Sequence, residues 1–574
     1  DPVVVAAIRG TAEWVKLAPG ELLYAEGIEP HGVSIVIRGG LTATTWDEVE
    51  STEVVLGQVG RGQVVGDIGL LGPPDPTPRI VAVRSTVLAR IPSATFEGLL
   101  DSHPRRVIEA SLATRSQHWR PGGSLRPKAV LAVLVSERLD VRKIVSGLGA
   151  ELARLGSVEH LWPERVDSLL GSAGIAAIPP QDPGDIRVGR LLNEAEMATD
   201  RLLLDVSRPT GFWAHRALAV ADRVLVVVPP DPSDDELGRL QEILAASPPG
   251  IARSLVIMHP SEARAPVGTA TLVDQLGCTD ALHIRSDELR RLARTVVGRG
   301  LGLVLGGGGA RGFAHLGVYR ALRESGLEID ALAGTSIGSI LAAAMADGPS
   351  PDDLVELARR RFGNVLDYTI PVVSLIRGNR IASALREEFG DRHIEDLWRP
   401  FACLSTDLTT SRSHIHARGR LDHALRASSS IPGVMPPVPH GDHLLVDGGV
   451  LNNLPVDILR RLTPDGVAVA VDVAPIRGPR ARADFGLSVS GWRGARSRKG
   501  VGAPGISAVL RRSMIVASQR ERDRQIAGGL ADLYLELDLR GVSMLDFSDV
   551  AGVARRGYEA AMPRVTEWLE SQHA

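Results

Sequence analysis

The sequence predicts a multidomain chain in three successive parts: a β-roll over residues 1–120, a parallel α/β domain over 126–297 and a second α/β domain over 298–574. Three observations carry this. At 574 residues the chain is too long for one core of ordinary size, and two to four domains are expected. The first 92 or so residues are short apolar runs cut by glycine turns, whereas from Lys128 the rhythm becomes strand, helix, strand. From about Gly298, two glycine-rich turns each join an apolar run to a helix-like one.

Composition narrows the partners. With 65 basic against 68 acidic residues there is no global electrostatic case for nucleic acid, so any contact with a polyanion or a membrane must be local. Cys278 and Cys403 are too few for a disulfide framework or, by themselves, a zinc site, which fits a reducing, cytoplasmic setting. No apolar run approaches the ~18 residues of a transmembrane helix, and the first residues carry no signal-peptide pattern.

In the first part, "ELLYAEG", "GVSIVIRGG", "EVVLGQVG" and "RIVAVRSTVLARI" read as short strands, with Gly20, Gly27 and Gly39 at turns. Ser93 is placed to cap a closing helix that carries Phe96, Leu99 and Leu100 on one side. Residues 119–127, "WRPGGSLRP", read as a linker. In the second part, "AVLAVLVSE", a helix to about Leu155, "DRLLLDVS", a helix around Trp213–Ala221 and "RVLVVVPPD" alternate as in a parallel sheet. This stretch resembles partition-type P-loop ATPases, but "SERLDVRKIVSG" offers Lys143 and no glycine from Ala132 through Ile144, so nothing lets backbone N–H groups wrap a phosphate. A structural relic of that fold is expected.

In the third part, "LGLVL" leads into Gly306–Gly309, and residues 307–312 satisfy G-x-G-x-x-G between a strand and a helix. A phosphate, a dinucleotide or an oxyanion would each use such a loop. A dinucleotide site would want the next strand to end in an acidic residue for the ribose; that strand ends instead in Gly334-Thr-Ser336-Ile-Gly338. Small residues on both sides of a serine suit a nucleophile elbow, because the turn is strained and the helix crosses the strand closely. The serine needs a base. His315, His440 and His443 lie near the motifs, and Asp447 stands at a strand end before Gly448 and Gly449. Burial that lifts a carboxylate's pKa would let Asp447 take the serine proton. Alone, each motif is an ordinary turn; their order and spacing are the signal.

"GGGARG", "GTSIG" and "DGG", with "ASSSIPGVMPP" at 427–437, resemble the patatin-like phospholipases. The resemblance implies Ser336 as nucleophile, Asp447 as base, and an oxyanion hole in the loop Gly307, Gly308, Gly309 and Arg311, with N–H groups of Gly308 and Gly309 as donors. Arg311 would be structural or phosphate-directed. "VVGDIGLLGPPDPTPRIVAVRS" resembles the phosphate-binding cassette of cyclic nucleotide-binding domains, which places Gly66, Asp67, Gly69, Leu70 and Arg79 around a cyclic phosphate. Asp67 is shorter than the usual Glu, the loop before Arg79 is lengthened, and Ile80 replaces a small residue. The combined layout is similar to the neuropathy target esterase family. It implies a serine esterase or lysophospholipase acting on lysophospholipid or phospholipid, with no metal or cofactor needed for catalysis and cyclic AMP or cyclic GMP as a regulatory ligand. A catalytically silent cyclic nucleotide sensor or scaffold, or an NTP-binding protein, is the alternative. Finally, residues 476–500 hold two basic clusters around Phe485 and Trp492, which suits either peripheral contact with anionic lipid or a plain surface insertion.

Overall fold

The structure, a computed structural model, describes residues 11–25, 28, 32–47, 52–60, 64–66, 78–102, 129–180, 182–208, 211–248, 251–263, 265–363, 366–473 and 506–573. The linker 119–127, the basic segment 476–500, and Gly27, Asp67, Gly69 and Leu70 lie outside these. The chain forms two compact units, one of Asp1–Gly300 with Glu395–Pro400 and Arg460–Gly466, the other of Leu301–Ile394, Phe401–Leu459 and Val467–Ala574. No helix among the described residues is long and apolar enough to cross a membrane.

The first unit opens with two four-stranded sheets, Glu13–Leu17, Thr86–Pro92, Gly32–Arg38, Val64–Val65 and Leu22–Tyr24, Arg79–Ala82, Leu41–Asp47, Thr52–Val59, each in that spatial order. All pairings are antiparallel. Leu17, Tyr24, Val36, Leu41, Val65, Ile80 and Leu88 fill the space between them. Ile80 is therefore a core residue. Gly39 turns the chain at φ 96, where a Cβ would run into Thr86. The helix predicted from Ser93 spans Ser93–Ser102 and buries Phe96.

Next comes a six-stranded sheet in the order Val158–Leu161, Arg201–Asp205, Ala129–Val135, Arg223–Val228, Ala252–His259, Asp280–Arg285. Every pairing is parallel. Helices cover both faces, which explains why its central strand "AVLAVLV" is apolar throughout: alternate residues enter separate cores. Beyond that strand, Asp140 caps the helix Val141–Ala153 by accepting the Lys143 N–H at 3.0 Å. A carboxylate therefore occupies the amino end of this helix.

One side chain ties the β-roll to this sheet. Arg84, in the short connection between Arg79–Ala82 of one sheet and Thr86–Pro92 of the other, is 3% exposed. Its guanidinium meets Glu196 at 2.8 Å and Asp222 at 2.7 Å and donates to the Val220 carbonyl at 2.8 Å. Burial lifts Asp222 to about 6, against the pull of Arg84 and of the Val130 N–H that it accepts.

The second unit is built on an eight-stranded sheet ordered Val438–His440, His443–Asp447, Phe401–Asp407, Ala331–Gly334, Leu301–Leu305, Val467–Asp472, Leu533–Glu536, with Arg412–His416 also paired to Phe401–Asp407. The run from Phe401–Asp407 to Leu533–Glu536 is parallel. Val438–His440, His443–Asp447 and Arg412–His416 run antiparallel. Register decides what meets at the carboxyl end. Leu305 is level with Gly334, so the glycine loop and the serine turn emerge side by side. Gly334 is level with Cys403, and Ser405, two residues on, is level with Asp447. Ser336, two residues past Gly334, thus reaches the height of Asp447.

Candidate active site

Ser336 sits between the strand Ala331–Gly334 and the helix Ile337–Ala346 at φ 56, a left-handed conformation that costs on the order of 1–3 kcal/mol in a non-glycine residue. The neighbours leave no alternative. A Cβ at Gly338 would enter the Leu305 carbonyl, and one at Gly334 would lie 2.6 Å from the Gly338 carbonyl. The turn is pinned by Thr335 N–H to the Leu305 carbonyl at 3.1 Å, Thr335 Oγ1 to the Asn452 carbonyl at 3.1 Å, and Ser339 Oγ to the Ser336 carbonyl at 2.6 Å.

Ser336 Oγ donates to Asp447 Oδ2 at 2.6 Å, and both residues are 6% exposed. The other carboxylate oxygen accepts the Gly449 N–H at 2.8 Å. Burial raises Asp447 to about 6, and the hydrogen bonds from Ser336 and Gly449 oppose it only in part. Gly448 is required by closeness, since a Cβ there would strike the Leu404 carbonyl.

The glycine loop is divided in its duties. The Gly307 N–H donates to the Asn453 carbonyl at 3.2 Å, and Asn453 Nδ2 donates back to the Gly307 carbonyl at 3.0 Å. Gly307 is thus spent on holding the loop rather than free to bind an oxyanion, and it abuts Ser336, whose Cβ would be 3.1 Å from a Cβ at 307. Gly308 and Gly309 have no hydrogen bond on their N–H groups among the described residues. Gly309 has φ 58. Arg311 donates Nε to the Val542 carbonyl at 2.9 Å, and Ala310 N–H donates to Met544 at 2.8 Å, so the segment 542–544 backs the loop.

The histidines are engaged elsewhere. His315 is fully buried, donates Nε2–H to the Gly306 carbonyl at 2.8 Å, and is pushed down to about 4 by burial. His443 Nδ1 is 2.8 Å from Asp407, and the His440 ring lies 5.0 Å from that of His414. Two contributors escaped the sequence reading. Ser428 Oγ accepts the Ser336 N–H at 3.0 Å, and Asn453 braces Gly307. The serine run "ASSSIPG" and the Asn pair after "DGG" were the available signals, but neither says which member points inward.

Of the residues around the cyclic phosphate position, Gly66 takes φ 94 and Arg79 is exposed at the start of its strand. Among the described residues no cluster of His, Cys, Asp and Glu has the geometry of a metal site.

Residues 303–460 match the patatin-like phospholipases and residues 14–103 match cyclic nucleotide-binding domains. Fold and site therefore define a patatin-type α/β domain preceded by a cyclic nucleotide-binding domain. An uncharacterized NTE family protein of Mycobacterium tuberculosis is 33% identical over 429 residues, covering 73% of this chain and 69% of that protein. The chain belongs to the NTE family of patatin-like phospholipases. Patatin-like phospholipase domain-containing protein 7 of Rattus norvegicus is 28% identical over 551 residues, covering 85% of this chain and 40% of the rat protein. Patatin-like phospholipase domain-containing protein 6 of Homo sapiens is 28% identical over 551 residues, covering 84% of this chain and 39% of the human protein. The chain spans less than half the length of these mammalian relatives.

Proposed function

We propose that the chain is a serine esterase that hydrolyses carboxylic ester bonds of lysophospholipids or phospholipids, with Ser336 as nucleophile and Asp447 as its base. The observation that carries this is the 2.6 Å hydrogen bond from Ser336 Oγ to a buried carboxylate raised to about 6, at a strained elbow. In this reading Ser336 Oγ attacks the ester carbonyl while its proton passes to Asp447 Oδ2. Charge on the former carbonyl oxygen is met by the Gly308 and Gly309 N–H groups, worth about 2.7–4 kcal/mol per donor in comparable sites. The tetrahedral adduct collapses, the leaving alcohol takes the proton from Asp447, and an acyl-serine remains. Water then attacks that ester, giving its proton to Asp447, and the released serine recovers it. A fluorophosphonate probe should label the protein at Ser336 and fail on Ser336→Ala, and a panel of lysophospholipids and short esters should be turned over by the first and not the second. Absence of labelling and of all ester turnover would favour a silent sensor.

The family match over 14–103 and the exposed Arg79 support a regulatory cyclic nucleotide. Arg79 would pair with the cyclic phosphate, and calorimetry with cyclic AMP and cyclic GMP should give binding that Arg79→Gln weakens. For the α/β part between, the Asp140 cap supports a relic of a partition-type ATPase that has lost its nucleotide. We place the protein in the cytoplasm, working peripherally at membranes.

A further inference from the structure

The second unit carries an apolar projection that the chemistry above does not use. Between the helices Pro351–Phe362 and Asn379–Phe389, Tyr368, Ile370, Val372, Val373 and Leu375 are 71%, 81%, 86%, 69% and 49% exposed. Such a cluster is unusual on a protein that remains in water. It is nonetheless held in a defined shape. Tyr368 and Ile376 form an antiparallel bridge, Thr369 N–H donates to the Leu375 carbonyl at 3.0 Å, and Asp367 accepts the N–H groups of Gly378 and Asn379 at 2.9 Å. Ser374 and Ile376 are buried, while Val373 and Leu375, which alternate with them, are exposed. The projection is a built hairpin with one face bare.

Its base is continuous with the candidate active site. Leu375 and Ile376 donate their N–H groups to the carbonyls of Gly433 and Val434, each at 3.0 Å. That segment begins just after Ser428, which holds the Ser336 N–H, and leads into Val438–His440, which pairs with the strand of Asp447.

We infer that the hairpin 368–376 is an anchor that inserts into a lipid surface and seats the site on it. Three features select lipid. No charged residue interrupts the stretch from Tyr368 to Ile376, while the exposed Arg377 and Arg380 follow at its base, which places cations at the level of headgroup phosphates. Tyr368 occupies the position between apolar tip and wet base that suits an interfacial aromatic. At the apex Pro371 has no N–H, and Val372 donates its own to the Ile370 carbonyl at 2.8 Å, which spares donors that hydrocarbon would leave bare. Three extended residues from Tyr368 to Pro371 span at most roughly 10 Å, comparable to the depth of interfacial insertion. The purpose of the anchor rests on the proposed lipid hydrolysis. Its existence does not.

The test uses the full chain and vesicles of phosphatidylcholine containing phosphatidylglycerol. The protein should co-sediment with them, and the double variant Ile370→Asp, Val372→Asp should partition roughly tenfold less or weaker still. Turnover of a short water-soluble ester should stay near that of the unaltered chain, while hydrolysis of aggregated lysophospholipid falls. A second readout keeps folding out of the result: Val372→Cys, labelled with an environment-sensitive fluorophore, should brighten and shift to the blue on adding vesicles, Cys278 and Cys403 being buried. Unchanged partitioning of the double variant, or a label indifferent to vesicles, overturns the anchor. So does a change in oligomeric state on making the variant, which would make the hairpin a protein contact. Vesicle binding that depends on the hairpin in a protein without ester turnover would sustain the anchor and sink the hydrolase reading alone.

Discussion

Asp447 holds a carboxylate out of water and, in the proposed reaction, must also be ionised when substrate arrives. With the group at about 6, kcat/KM for a soluble ester should rise with pH through that value and level off above it. A profile flat from pH 5 to 8 would remove Asp447 as the base. The same shift affects stability. Because the folded pKa lies above the unfolded one, the group favours folding below about pH 4, and that contribution is lost as pH rises through 6, a difference on the order of 3 kcal/mol. Asp447→Asn should therefore abolish turnover yet melt no lower than the parent at pH 8, with any gain shrinking toward pH 4. His315→Ala should leave the limb near 6 in place, because His315 serves the Gly306 carbonyl and not Ser336. A shifted or vanished limb in that variant would argue for a Ser-His arrangement. That Ser336 and Asp447 belong together was legible because their motifs are short and local, and the two side chains do meet. The division of labour within the glycine loop was not: that Gly307 gives its N–H to Asn453 depends on a partner far along the chain.

At the level of elements, the strand–turn–helix around Ser336 works because three backbones converge with no side chain between them. Gly338→Ala should cost several kcal/mol in urea unfolding, since the new Cβ meets the Leu305 carbonyl rather than a flexible group. A loss under about 0.5 kcal/mol would mean that the helix can shift away. The parallel strands could be read from sequence, since "LGLVL" and "AVLAVLV" are apolar without alternation and buried on both faces. The hairpin 368–376 could not. "YTIPVVSLI" has the composition of a buried strand, and only the absence of neighbours on one side reveals a surface element. The membrane contact read into residues 476–500 lies outside the described residues. An apolar projection is present in a segment that carried no expectation at all.

For the molecule as a whole, buried histidines set the acid limit. His259, His283 and His315 are pushed down to about 4, and His416 to about 3, in each case by burial first. Each contributes stability that is complete above the unfolded value near 6.5 and is lost as pH falls toward its folded value. The melting temperature should drop between pH 6.5 and 4, opposed among the described residues by the two raised carboxyls, Asp222 and Asp447. A melting temperature that is level or rises over that range would contradict the neutral, buried state of these rings. Arg84 bears on modularity. Arg84→Ala should cost about 3 kcal/mol, because Glu196 would stay buried, and Asp222 largely so, without their cation. A chain begun at Lys128 to isolate the α/β part would start with those acids stripped of their counterion, and the separate β-roll would carry the Arg84 guanidinium without Glu196 and Asp222. The β-roll and the six-stranded sheet thus share a cation, and transplanting the roll onto another protein would require carrying Glu196 and Asp222 along as part of the graft.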